Sequence, residues 1–518
     1  MFRRHTLRAA AAIAAVGLLA ACGTSDSGST ASGSGAPDVE GTLSTGWTTG
    51  ITSLDPHMAT SEIASFRFGL NEIYDRLFTV KADGTVDGML VQDYSYSPDG
   101  LGLILNLRED VTFRDGTPLD AEVVKVNLDR ARTVDSPSVK SRMAPVVDVA
   151  VTGPYQVTLT LAEPTVVVPY VLAEMAGFVM HPDLIANGNP ATETNGSGAY
   201  SVESFAPGEE LTIVRDRSDY WDADAAKLAK IEYKAISDTQ AFTNAMAAGQ
   251  IELGQFLPGT VNAVEGRKGL TTVDVPTGTG VELFLNRNIA PLDDVKVRQA
   301  INYAYNRDEI IEALYLGSEV RHQYSRPGLP GYDAELDETY TYDPAKAKQL
   351  LAEAGHPNGI DLGEVIITNV ITPGVGDAMQ EQFAQAGIKI TPIVKDGLEG
   401  PTSFGRGEAS ALLHYSPLGT SFTSGSSYRW GPRLNPAGVT PEYTQMLAAA
   451  NDSRRSEGER EASAAELNRY LVEQAWGAPL VWITYPWVMS DKVGNFSTDM
   501  DYSTTLGPFD FRYLTVSE

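Results

Sequence analysis

Cys22 is the only cysteine in a chain of 518 residues, so no internal disulfide can staple the fold and packing must hold it. A chain this long exceeds what one hydrophobic core usually serves, and two or three domains are expected. The cysteine follows Ala9–Ala21, an apolar run too short to span a bilayer as a helix. Arg3, Arg4 and Arg8 give that run a cationic start, as the core of a secretory signal requires. No later segment of the sequence approaches transmembrane length.

Leu19-Ala20-Ala21-Cys22 resembles a bacterial lipobox. Small residues there admit the signal peptidase, and the cysteine thiol accepts diacylglycerol. Residues 1–21 are therefore expected to be removed, leaving Cys22 as a lipid anchor that holds an extracytoplasmic protein to the cell membrane. Residues 23–40, GTSDSGSTASGSGAPDVE, cannot bury a core. With Cys22 they read as a flexible tether (22–40) of about 20–25 Å root-mean-square span. Without the first 21 residues the chain carries 36 basic against 67 acidic side chains, a net charge of −31. Such a body is repelled by phosphate backbones and by anionic membrane surfaces, which argues against nucleic acid as a partner. Membrane attachment is expected through the lipid alone.

Beyond the tether, strand and helix signals alternate, giving an α/β class. Leu101, Leu103, Leu105 and Leu107 alternate in one run, and Tyr155, Val157, Leu159 and Leu161 in another. Tyr200 to Val214 predicts a hairpin around Pro207-Gly208. Asp343-Pro344 opens a helix that Gly355 closes, with Ala347, Leu350, Leu351 and Ala354 on one face. Asn306 and Glu309 have capping-box spacing, and Asp293 is expected to cap the helix carrying Val297, Ile301 and Ala304. Val365–Thr368, a helical stretch to Ala386, and Ile388–Val394 read as a strand–helix–strand crossover.

The sequence lacks a nucleophile elbow, a P-loop, a zincin motif and a dinucleotide fingerprint. Its six histidines are scattered, and none has a second histidine at metal-ligand spacing. No catalytic residue, metal or cofactor is assigned. A secreted hydrolase with a carboxylate pair placed by the fold alone remains the alternative of another class.

Several segments occur in an order that carries a family resemblance. They begin with Leu54-Asp55-Pro56-His57 and Asn71-Glu72-Ile73-Tyr74-Asp75-Arg76-Leu77-Phe78. Leu107 to Pro118, LREDVTFRDGTP, follows, then Gly196-Ser197-Gly198-Ala199-Tyr200 and Asp219-Tyr220-Trp221. Phe284-Leu285-Asn286, Asp293 to Ile301 and Tyr342 to Ala347 complete the series. Together they resemble the family 5 extracellular solute-binding proteins, the dipeptide-, oligopeptide- and nickel-binding components of ABC importers. Gly116 is expected to need a positive φ in its turn, and Tyr220 and Trp221 to cover a core edge.

The resemblance implies a two-lobed fold of the periplasmic-binding-protein type (cluster C), with a subdomain inserted in the first lobe. Lobe I is expected over 41–283, with the insertion at about 57–190. Lobe II is expected over 284–484, and 485–518 return to lobe I. The outward crossing is placed near Phe284–Asn286 and the return near Leu480–Met489, a run containing Trp482, Tyr485 and Trp487. The implied partners are a small-molecule or peptide ligand and the permease subunits of an ABC transporter, and a monomer is expected.

Ala409 to Pro441 contains no Asp or Glu in a markedly acidic protein. It does contain Tyr415, Phe422, Tyr428, Arg429, Trp430 and Arg433, interleaved with hydroxyl residues including Thr420, Ser421 and Ser427. Many peptide-binding members carry here an Asp that pairs with the peptide ammonium, and this sequence departs from that pattern. A buried ammonium without a carboxylate is costly. The cargo is therefore expected to be neutral or anionic, with glycoside-like solutes included. The alternative is a dipeptide or oligopeptide whose ammonium an acid such as Asp55 or Glu72 would hold. Candidate ligand contacts are Trp47, Thr48, Thr49, Asn286, Tyr415, Arg429, Trp430, Tyr485 and Trp487.

Overall fold

A computed structural model describes residues 30–31, 38–58, 69–417, 422–497, 502–503, 507–508 and 510–517. Cys22, the signal read over residues 1–21, Thr420 and Ser421 lie outside these residues, as do the side chains of Ser427 and Tyr428. Thr30–Ala31, within the stretch read as tether, pairs antiparallel with Phe496–Ser497.

The frame is an eleven-stranded mixed sheet. Its neighbours run Ile388–Lys395, Ile360–Thr368, Ala411–Pro417, Leu270–Leu285, Gly477–Ser490, Leu253–Gln255, Thr42–Trp47, Lys230–Ala235, Glu210–Val214 and Ser201–Ala206. Glu319–Val320 adds a short partner to Gly477–Ser490. The two long antiparallel strands, Leu270–Leu285 and Gly477–Ser490, are shared by both halves of the sheet. Leu270 to Pro276 pairs with Thr484 to Ser490, whereas Gly280 to Phe284 pairs with Gly477 to Trp482.

Between these halves the register breaks, with Pro276 opposite Thr484 and Gly280 opposite Trp482. Proline supplies no N–H to a ladder, so a bulge is a place where a strand tolerates it. The Thr277 hydroxyl donates to the Ile483 carbonyl at 2.8 Å and accepts from the Thr279 N–H at 3.2 Å, which fixes the bulged segment. A second register shift lies between Val281 and Glu282, and at Phe284 and Leu285 the pairing is regular.

Between Trp47 and Ser201 the chain leaves the frame and builds a four-stranded antiparallel sheet, ordered Val91–Tyr96, Gly102–Leu107, Gln156–Leu161, Val146–Gly153. Leu103, Leu105, Leu107, Val157, Leu159 and Leu161 bury one face of it, as alternation predicts. Leu101 does not join them. It precedes the strand, its N–H is held by the Asp99 carboxylate in a turn, and its side chain is exposed.

The punctuated helices form with small corrections. Asp343 caps Pro344–Glu353 through Lys346 N, and Gly355 takes φ +90° just past its end. Asp294, not Asp293, caps Val295–Tyr303, because it is the Asp294 carboxylate that accepts from Lys296 N at 2.8 Å. Asn306 caps Arg307–Leu314 through Glu309 N, but its own N–H goes to Gln382 and only its side-chain amide reaches Glu309. Ile360–Thr368, Val375–Gln385 and Ile388–Lys395 form the expected parallel crossover.

The family motifs converge on Asp75, which is fully buried. Its carboxylate accepts from Ser197 Oγ (2.8 Å), Tyr220 Oη (2.6 Å), Trp221 Nε1 (3.2 Å) and Arg512 Nη1 (3.4 Å). Four donors on one carboxylate fill its lone-pair sites. Tyr220 and Trp221 therefore clamp the chain near the insertion to the C-terminal tail, and Arg108 lies 4.3 Å over the Trp221 ring. Gly116 takes φ +85° in its turn.

Candidate functional site

Alternation along Gly280 to Leu285 splits the long strand into two faces. Val281, Leu283 and Leu285 enter the main core, while Gly280, Glu282 and Phe284 face the other way. Glu282 is fully buried there. Two guanidinium groups meet it. Arg429, in the last turn of Phe422–Arg429, forms an ion pair with Glu282 and donates to Ser416 Oγ. Arg321, just after Glu319–Val320, places Nη2 3.6 Å from the same Glu282 oxygen. Both arginines are buried, at 0% and 1% exposure, so the cluster holds one net positive charge away from water.

Aromatic rings surround these cations. Arg321 lies 4.2 Å from the centroid of Trp482, and Arg429 lies 4.3 Å from Tyr324 and 4.7 Å from Trp430. Burial disfavours the charged forms, pushing Arg321 down to about 9 and Arg429 well below its ordinary value. Several polar atoms form no hydrogen bond in the protein: Arg321 Nη1 and Nη2, Arg429 Nε and Glu282 Oε1. Two glycines make the room. A Cβ on Gly280 would stand 2.4 Å from Arg321 Nη1, and one on Gly477 would stand 2.0 Å from Glu282 Oε1.

The register break adjoins this cluster through Gly280 and Trp482. Beside it, Tyr415 and Tyr485 are hydrogen-bonded to each other. Tyr415 stands opposite Val281 and Tyr485 opposite Val275, so the phenol pair spans the break. Arg326 donates to the Thr277 carbonyl at 2.9 Å from the other side.

The structure thus brings Arg429, Trp430 and Tyr415 to one region and joins Tyr485 to it. Trp430 also packs 5.0 Å from Trp476 within a second aromatic core. Trp47 and Trp487 lie together elsewhere, 5.4 Å apart edge to face, both packed on Phe511. Thr48 and Thr49 are exposed, and Thr49 shares a shallow recess with Glu209, Glu210 and Lys234. Asn286 is buried at the strand end, where its side chain bonds the Ala409 carbonyl and the Asn288 N–H.

Asp55 is committed to Arg130, and Glu72 to Phe511 N and Tyr233 Oη. Burial and the neighbouring Asp510 push the Glu72 carboxyl up to about 8. Among the described residues no group of His, Cys, Asp and Glu could hold a metal ion, and no helix is long and apolar enough to cross a membrane.

Glu282 and Arg321 were absent from the sequence-based candidates. Their signal was present as an acid inside the buried run Val281-Glu282-Leu283-Phe284, with a strand glycine two residues before it.

Comparison with known proteins places this geometry. The profile of the bacterial extracellular solute-binding proteins, family 5 (middle), matches residues 85–426. The glutathione-binding protein GsiB of Salmonella paratyphi A is 27% identical over 451 residues, covering 85% of this chain and 86% of that protein. Among solved structures, the periplasmic binding protein DppA of Helicobacter pylori, in complex with the peptide STSA, superposes with a TM-score of 0.75 at 21% identity. That match covers 92% of this chain and 98% of the other. NikA of Brucella suis, in complex with Fe(III)-EDTA, superposes at 0.78 with 23% identity, covering 92% and 100%. The fold is that of the two-lobed periplasmic binding proteins, and the chain belongs to the family 5 extracellular solute-binding proteins, which deliver their substrates to ABC importers.

Proposed function

We propose that this protein is a lipid-anchored receptor, tethered outside the cytoplasm through Cys22, that carries a neutral or anionic solute to its permease and performs no chemistry on it. The observation that carries the cargo class is the buried Glu282–Arg321–Arg429 cluster, which holds one net positive charge and is ringed by Tyr324, Trp430 and Trp482. An ammonium group brought there would meet a like charge, whereas an anion or a ring face would gain. The hinge between the lobes is the pair of bulged segments at Pro276–Gly280 and Trp482–Thr484, and closure of the lobes around the solute is stabilised by the contacts it makes to both. Trp47, Thr48, Thr49, Tyr415 and Tyr485 contribute contacts from either side of that hinge, and the receptor works as a monomer.

The names of the relatives favour a second reading, a peptide cargo, since GsiB proteins are named for binding glutathione and DppA was solved with a tetrapeptide. Calorimetric titration separates the two. The panel holds dipeptides, tripeptides, glutathione, their N-acetylated forms, and neutral and acidic glycosides. The proposal expects binding that N-acetylation leaves intact or strengthens; micromolar binding abolished by N-acetylation would restore the peptide receptor. For the anchor, Cys22→Ser should release a folded body from membranes, and retention after a high-salt wash would remove the lipid assignment.

A further inference from the structure

Glu282 is shared unequally between its two arginines. Arg429 takes it in a direct ion pair and adds Ser416, whereas Arg321 stands 3.6 Å away. Arg321 spends only Nε on a protein acceptor, the Gln323 carbonyl at 3.2 Å. Its two outer nitrogens, Nη1 and Nη2, form no hydrogen bond although the residue is fully buried. A buried polar group without a partner costs on the order of 1–3 kcal/mol, and more when it is charged. The stack on Trp482 holds the guanidinium plane, and the missing Cβ of Gly280 lets Arg321 Nη1 lie close against the strand, 2.4 Å from where that Cβ would stand. The outer edge of a fixed guanidinium is a planar two-donor fork that fits one carboxylate.

We infer that Arg321 is the docking point for one carboxylate of the bound solute, and that Glu282 acts as a resident counter-ion limiting the site to a single negative charge. The inference rests on the reading that the solute is held at this cluster, and it narrows the cargo from neutral or anionic to a monocarboxylate, the rings of Tyr324 and Trp430 receiving the apolar or cyclic remainder. Entry of the carboxylate follows parting of the lobes at the register break, of which Gly280 and Trp482 form one boundary. Glu282 would repel a second carboxylate there, so the same residue that neutralises Arg429 sets specificity.

The test uses the full mature chain and matched probes that differ only in charge. These are N-acetylphenylalanine, N-acetyl-alanyl-phenylalanine and benzoylglycine, each beside its primary amide, with glutathione and phthalate added. Calorimetry and thermal shift should show the acids binding at least about tenfold tighter than the amides. Arg321→Lys should reduce that preference to about threefold or less. Glu282→Gln should admit phthalate, which the unaltered protein rejects.

Amides that bind as well as acids, a panel in which no acid binds, or an acid preference untouched by Arg321→Lys would each overturn the inference. Should Arg321→Lys fail to fold, the acid–amide comparison on the unaltered protein and the phthalate response of Glu282→Gln decide it. Peptides with free amino termini that bind through Arg321 would defeat the cargo class proposed above and leave the carboxylate dock standing. A tight neutral ligand with no acid preference would do the reverse.

Discussion

Asp75 and Glu282 are both fully buried carboxylates paired with arginine, and they are treated oppositely. Asp75 receives four donors, and its arginine, Arg512, is shared with Asp510 through two further bonds. Glu282 faces two arginines, and the cluster leaves several polar atoms without a hydrogen bond. A saturated network holds segments together and offers nothing to a visitor. An unsaturated one keeps a standing electrostatic demand, which a folded protein retains where something else meets it. The difference teaches where to look in a binding protein of this kind: not at the densest polar cluster, but at the one whose donors and acceptors do not balance.

The largest test of this contrast is Asp75→Ala. Removing a carboxylate that four donors share should cost about 3–5 kcal/mol of folding free energy, read by denaturant unfolding, with solute affinity of the folded fraction unchanged. A loss of affinity at full folding would mean that Asp75 serves binding and would break the contrast.

A second test exploits Glu72, whose folded carboxyl is raised to about 8 by burial and by Asp510. A raised carboxyl means that the folded state keeps a proton the unfolded chain gives up near pH 4.5. Stability from this group is therefore present below that pH and lost as pH climbs toward 8. The slope should approach ~1.4 kcal/mol per pH unit, and Glu72→Gln should flatten it between pH 5 and 8. Identical pH profiles for the two proteins would show that Glu72 is ionised in the fold.

Gly280→Ala is the finest probe. The new methyl group would crowd Arg321 Nη1 and the Val481 carbonyl, costing about 1–3 kcal/mol while displacing the guanidinium. The acid-over-amide preference should fall along with it. Full preference with reduced stability would show that the glycine serves the strand alone.

Much of the scaffold was readable because its signals are local. Asp343-Pro344 and Gly355 sit at the ends of one helix, and the leucines from Leu103 to Leu107 alternate into one core. Local reading failed where two neighbours carry the same chemistry. Asp293 and Asp294 are both acids beside the helix start, and only the backbone direction decides which carboxylate reaches Lys296 N. The site was half visible. An acid-free segment drew attention to Arg429 and Trp430, but the carboxylate that Arg429 uses lies on a strand far back in the chain, and Arg321 reaches it from a third element. Those meetings are set by sheet order, which no spacing records. Trp47 and Trp487 come from distant parts of the chain, and their packing on each other and on Phe511 is a meeting that no spacing records.

The short pairing of Thr30–Ala31 with Phe496–Ser497 bears on how the receptor meets its transporter. The lipid proposed on Cys22 would have only residues 23–29 between it and this strand pairing on the folded body. Fully stretched, the step from Cys22 to Thr30 covers no more than about 26–29 Å. Under that proposal the body would be leashed at one spot beside the C-terminal strands. Its search for the permease would then run in two dimensions, at a height the leash sets.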